Sequence, residues 1–339
     1  MISLSKIRNI LGNDDPAFLE SFARESQMIT QQYFGRTIAL YAPLYLSNYC
    51  SSHCTYCGFH SKNRIARVRL APRQIHNEMK VVADTGIENI LLLTGESYQA
   101  TPLAYLTEAV AIAKQYFTSI SLEVHPMDTD EYRRLFLIGV DGITVYQETY
   151  DRARYKEVHI SGKKSDYDYR RETPARAARS GMRHISLGIL LGLSDAAEDL
   201  SALYQHLRWM EINFPGVEYS LSFPRLRKIK GRDFALCNIG DATLIKIICL
   251  TRALFPRVGI NLSTRENPSF RDHALEFGIT RISAGSNTAV GGYDLLKASK
   301  AQEPQFDIED RRSVSQIVQL LKNRNFDPVF TDWRAIENA

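Results

Sequence analysis

The sequence predicts one α/β domain folded as a closed (β/α)8 barrel. Short apolar runs alternate with longer amphipathic ones, the short runs are apolar on both faces, and polar residues recur where those runs end. Strands apolar on both faces belong in a parallel sheet covered by helices. Eight strand–helix units within about 250 residues suffice to close a barrel. An open doubly wound sheet uses the same elements, but polar groups gathered at the C-terminal ends of the strands favour the barrel, which keeps its chemistry on that rim.

In chain order, residues 1–40 read as an N-terminal helical segment, 41–300 as the barrel, and 301–339 as a C-terminal helix and tail capping it. The strand candidates are 42–48, 89–95, 119–125, 142–148, 184–190, 217–223, 258–264 and 280–285. Helical patterns lie between them at 72–86, 101–117, 128–139, 173–181, 195–214 and 241–255. Asp128 and Thr173 stand where N-caps belong, and Gly86, Gly139 and Gly181 where helices stop. The predicted rim then carries Cys50, Thr94-Gly95-Glu96, Glu123 and His125, Gln147-Glu148, Arg225 and Arg227, and Ser286 to Thr288.

With 339 residues, 44% hydrophobic and 24% charged, the chain can bury a large core. Its 42 basic and 38 acidic residues leave a net charge of +4, too balanced for a nucleic-acid footprint or a membrane-surface binder. The N-terminus lacks the apolar core of a signal peptide and no run spans a bilayer, so a cytoplasmic protein is expected. Thiols stay reduced there, and grouped cysteines point to metal or catalysis.

Three of the five cysteines fall in NYCSSHCTYCGFH, as Cys50, Cys54 and Cys57 in the spacing C-x3-C-x2-C. Iron–sulfur cubes ordinarily take one cysteine per iron, so three cysteines leave one iron open to a substrate or cofactor. The alternative is a zinc knot completed by His53 or His60, in a non-catalytic, zinc-stabilised barrel. Cys237 and Cys249 are remote, and Cys249, in the apolar run LIKIICL, reads as an unreactive buried thiol.

The cysteine spacing, with Tyr56 before the third cysteine, resembles the signature of the radical S-adenosylmethionine (radical SAM) enzymes. LLLTGES, SLEVHPM, GITVYQETYDRARY, GKKSDYDYRRETPARAARSGM, SFPRLR, RISAGSNTAVGGY and QFDIEDRRS extend the resemblance to the tyrosine lyases of thiamine biosynthesis, the 2-iminoacetate synthases. It implies a TIM-type barrel holding a single [4Fe-4S] cluster on Cys50, Cys54 and Cys57. S-adenosyl-L-methionine is then contacted by Tyr56, Gly95, Glu96, Glu123, Glu148 and Arg170, with the segment 188–193 along the adenine. It further implies cleavage of L-tyrosine between Cα and Cβ to 2-iminoacetate and p-cresol. Arg225, Arg227, Ser286 and Thr288 are the candidate substrate contacts. Thiazole synthase is the implied protein partner, and a reduced flavodoxin or ferredoxin type protein the electron donor. His125 stands where glutamine is familiar in that family. Two related readings share the machinery: a tryptophan lyase, and the tyrosine lyases of hydrogenase maturation, which carry further cysteines beyond the barrel.

Overall fold

The computed structural model describes residues 2–226, 239–294 and 304–331. Eight parallel strands close into a barrel: β1 (Thr37–Ser47), β3 (Asn89–Thr94), β4 (Ser119–Glu123), β5 (Gly142–Glu148), β7 (His184–Ile189), β8 (Glu218–Ser222), β9 (Gly259–Leu262) and β10 (Arg281–Ser283). Closure is the pairing of β10 with β1, Ala39 opposite Arg281 through Tyr41 opposite Ser283. All eight predicted strands are present. The first starts earlier than expected because TIALYAPLYLS is one buried extended run, whose far end pairs with β3.

Helices α1 (Leu4–Leu11) and α2 (Pro16–Phe34) precede the barrel, and α2 packs along α10 (Asp241–Leu254). The crossovers are α3 (Pro72–Ala83), α4 (Leu103–Ala113), α5 (Thr129–Leu137), the α6–α7–α8 run (Arg152–Val158, Tyr167–Arg171, Thr173–Arg179), α9 (Ala196–Asn213), α10 and α11 (Pro268–Ala274). Asp128 caps α5 through a reciprocal box with Glu131, as the sequence predicts. Thr173 does not cap: it is the first residue of α8, and its hydroxyl donates to the Tyr169 carbonyl at 3.0 Å. Helix α7, unforeseen in the sequence, ends at Arg171, and Glu172, the one residue between the helices, is itself in the right-handed helical region, so no extended residue is left to serve as a cap. Gly86, Gly139 and Gly181 all adopt positive φ after helix ends.

Two short strands, β2 (His53–Cys54) and β6 (His159–Ser161), pair antiparallel outside the barrel. A last helix, α12 (Val314–Asn323), leads to β11 (Asp327–Val329), which pairs with the first three residues of β1. Cys249 is fully buried in α10, and burial pushes its thiol up to about 12. Among the described residues no helix is long and apolar enough to cross a membrane.

Candidate functional site

The loop after β1 carries the three cysteines, and its neighbours fix its path. Ser51 donates both its backbone N–H (2.9 Å) and its hydroxyl (2.8 Å) to the Glu96 carbonyl, while Gly95 N–H donates to the Ser47 carbonyl at 2.8 Å. Any Cβ at Gly95 would collide with the Tyr49 carbonyl, so this turn admits only glycine. Further along, Thr55 N–H donates to the Val158 carbonyl at 2.9 Å, beside the β2–β6 pairing. Cys50, Cys54 and Cys57 thereby line one cavity at the C-terminal mouth of the barrel. Burial pushes the Cys50 thiol up to about 11 and raises Cys54 and Cys57 as well, so the free thiols are protonated at neutral pH.

Facing the loop is a wall of two carboxylates and two cations. Arg170 donates to Glu96 at 2.7 Å and to the Tyr146 carbonyl at 2.7 Å. Lys164 donates to Glu148 at 2.7 Å and lies 3.8 Å from Glu96. Glu148 follows a register shift at the end of β5 and adopts φ 70°, a strained turn for a non-glycine residue. Burial alone would raise Glu96, yet the Arg170 guanidinium and Lys164 ammonium hold it below the usual carboxylate range. One of its oxygens, Oε2, is buried without a partner. Glu123 lines the same cavity; burial, then the nearby Glu148 carboxylate, push it up to about 7.

Beside this wall Val158, Leu190 and Leu193 form a small apolar cluster with Tyr56 and Leu226, the Tyr56 ring lying 5.8 Å from Lys164 Nζ. The Tyr56 hydroxyl lies 2.8 Å from His159 Nε2, whose other ring nitrogen faces the Tyr155 carbonyl at 2.9 Å. Burial drives His159 down to about 2, so the ring is neutral: Nδ1–H donates to the carbonyl and Nε2 accepts from Tyr56.

The four substrate candidates are not brought together. Arg225 is paired with Glu266 and with Asp241 (2.7 Å), and Arg265, not Arg225, lines the cavity. Arg227 lies outside the described residues. Thr288 lines the cavity and its hydroxyl donates to the Phe306 carbonyl at 2.8 Å. Ser286 faces a neighbouring hollow instead, with its hydroxyl buried and unpartnered. Lys164, Arg265 and Gln305 line the cavity and were missed. Arg265 follows β9, a strand end the rim rule itself points to. Lys164 is one of two adjacent lysines that sequence cannot tell apart, and nothing local marks Gln305.

Residues 44–207 match the Radical SAM superfamily and residues 222–327 the Biotin and Thiamin Synthesis associated domain. Over 317 residues the chain is 39% identical to the 2-iminoacetate synthase of Salmonella typhimurium, covering 93% of this chain and 83% of that one. The chain belongs to the 2-iminoacetate synthase family of radical SAM enzymes. The Escherichia coli 2-iminoacetate synthase is 38% identical over the same shares. Among solved structures, HydG, a maturase of the [FeFe]-hydrogenase, superposes with a TM-score of 0.91 at 29% identity, covering 98% of this chain and 73% of that one. Methylornithine synthase (PylB) superposes at 0.79 with 22% identity, over 97% and 94%.

The residues present fit the family's iron–sulfur cluster and S-adenosylmethionine. Three thiols share one cavity, a buried carboxylate oxygen beside them lacks a donor, and the intervening turn is closed to side chains. A zinc knot needs four donors around one point. Of its two candidate fourth ligands, His60 already accepts from the Lys62 N–H through Nδ1 at 3.2 Å.

Proposed function

We propose that this radical SAM lyase cleaves the Cα–Cβ bond of L-tyrosine, giving 2-iminoacetate and p-cresol, with 5′-deoxyadenosine and methionine formed from S-adenosylmethionine. The observation that carries the reading is the cysteine loop stitched to the Glu96–Arg170–Lys164–Glu148 wall within one cavity. Cys50, Cys54 and Cys57 hold one [4Fe-4S] cluster through three of its irons. When bound, the cluster and S-adenosylmethionine would supply the radical chemistry that activates the tyrosine amino group.

The wall suits the methionine end of S-adenosylmethionine because two carboxylates and two cations form a neutral lattice that can exchange partners with a zwitterion. Glu96 accepts from the amino group through its unpartnered oxygen. Arg170 presents a planar fork to the carboxylate. Glu148 and Lys164 keep the lattice balanced. Glu123 stands toward the ribose, and Tyr56, Leu190 and Leu226 give the adenine an apolar bed. Both ends of tyrosine must be pinned for hydrogen transfer to one amino group. Arg265 and Thr288 at the cavity wall are the contacts best placed for its carboxylate, with Arg225 holding Glu266 beside them and Arg227 and Ser286 kept as further candidates.

The product hydrolyses readily in water, which favours direct transfer to a thiazole synthase. A flavodoxin or ferredoxin type protein serves as reductant, and the cytoplasm is the compartment. Anaerobic reconstitution with S-adenosylmethionine, reductant and tyrosine tests the reading: 5′-deoxyadenosine and p-cresol are expected in equal amounts. Deoxyadenosine without any cresol refutes tyrosine as the substrate.

A further inference from the structure

Residues 304–312 run as a strap across the barrel mouth. Gln305 N–H donates to the Thr288 carbonyl at 3.1 Å, and the Glu309 and Asp310 N–H groups both donate to the Thr264 carbonyl at 3.1 Å. The Asp310 carboxylate, fully buried, is clasped by Arg271 and Arg312. Next to Cys57 the backbones touch: a Cβ at Gly58 would lie 2.6 Å from the Gln305 carbonyl oxygen.

At that contact the Gln305 side chain is held from two sides. Its Nε2 donates to Cys57 Sγ at 3.7 Å, and its Oε1 accepts from the Tyr45 hydroxyl at 2.8 Å. Tyr45 is buried on β1, 3% exposed. A metal-bound thiolate accepts hydrogen bonds and cannot donate, so the amide must turn its NH2 to sulfur and its carbonyl to Tyr45. The thiolate therefore fixes which way the amide points, and the Tyr45 hydroxyl, donating to Oε1, holds it there.

We propose that Gln305 is a positioning residue that sets the reduction potential of the cluster held by Cys57. The inference rests on the three-cysteine cluster reading above. A donor aimed at a cluster sulfur favours the more negative, reduced state, and hydrogen bonds to the sulfurs are among the levers that tune such potentials. Tyr45 acts one step further out, by holding the donor in place.

The test uses parent, Gln305→Leu and Tyr45→Phe proteins, each reconstituted anaerobically and titrated with a redox mediator while electron paramagnetic resonance counts the reduced cluster. Iron and sulfide are assayed first. Gln305→Leu is expected to carry a full cluster whose reduced-to-oxidised ratio, at the parent's midpoint, falls roughly three- to tenfold, tenfold being about 59 mV for one electron. Tyr45→Phe is expected to fall in the same direction by less. A full cluster in Gln305→Leu with an unchanged ratio overturns the inference and leaves the cluster reading standing. If Gln305→Leu loses its cluster, Tyr45→Phe decides, a fall supporting the role and no change refuting it. A parent protein that binds no cluster overturns both.

Discussion

Arg170 donates to Glu96 across 2.7 Å, with the guanidinium side chain 7% and the carboxylate side chain 13% exposed. At that depth the pair is costly to break from one side, because the survivor stays buried without its counter-charge. Arg170→Ala and Glu96→Ala are each expected to destabilise the cluster-free protein by ~3 kcal/mol, the low end for such pairs because Lys164 and Glu148 remain close by. The double variant should lose clearly less than the sum of the two. Thermal unfolding of the four proteins in the cycle measures the coupling; strict additivity contradicts it.

The cysteines divide into two kinds. Cys50→Ala, Cys54→Ala and Cys57→Ala are each expected to lose most bound iron and sulfide while remaining folded. Cys249→Ala should keep both, at a cost of about 1–2 kcal/mol for the small void left between α10 and its neighbours. Iron and sulfide assays beside circular dichroism distinguish them, and full cluster content in any of the first three variants contradicts the ligand set.

Glu123 makes stability depend on pH in a definite direction. Burial and Glu148 raise its folded value from 4.5 to about 7. The folded state thus holds the proton more tightly, and this contribution, complete below about 4.5, is lost as pH rises through about 7. The loss is at most about 1.4 kcal/mol per pH unit. His125, His184 and His206, each lowered by burial, act the opposite way by losing stability as pH falls below 6.5. The difference between parent and Glu123→Gln isolates the carboxyl. Relative to the parent, the variant's melting temperature should be higher at pH 8 than at pH 5, and a pH-independent difference contradicts the assignment.

Substrate capture separates two arginines. Arg265 lines the cavity, whereas Arg225 is tied to Glu266 and Asp241. Arg265→Ala is expected to raise the KM for tyrosine by about tenfold or more, the loss of one charge-assisted contact. S-adenosylmethionine cleavage without tyrosine should be unaffected. Arg225→Ala should raise KM less and lower the melting temperature more, since it removes a guanidinium paired with the buried Glu266 and with Asp241. The reverse ranking returns Arg225 to the substrate.

The barrel was legible because every strand is a short apolar run with a helix period after it, and packing on both faces leaves little freedom in that pattern. The cysteine loop, Glu96 and Glu148 were expected on the rim from residue type and position, and all line the cavity there; Arg170, which lines it too, came only from the family resemblance. What escaped was set by long-range contact. β11 pairs with the start of β1 from nearly three hundred residues away, and DPV is too short and polar to announce a strand. Lys164 and Lys163 are identical neighbours, yet one is sealed against Glu148 while the other lies over the Tyr98 ring. Ser286 and Thr288 are two residues apart and both line the neighbouring hollow, yet Thr288 alone also reaches the main cavity. No local pattern encodes those choices.

The most direct measurement is the Mössbauer spectrum of anaerobically reconstituted protein, recorded with and without S-adenosylmethionine. A four-iron cluster is expected in which one iron alone changes its isomer shift and quadrupole splitting when S-adenosylmethionine is added, the iron without a cysteine. Absence of a four-iron cluster, or four irons indifferent to S-adenosylmethionine, would contradict capture of the cofactor at a site held by Cys50, Cys54 and Cys57.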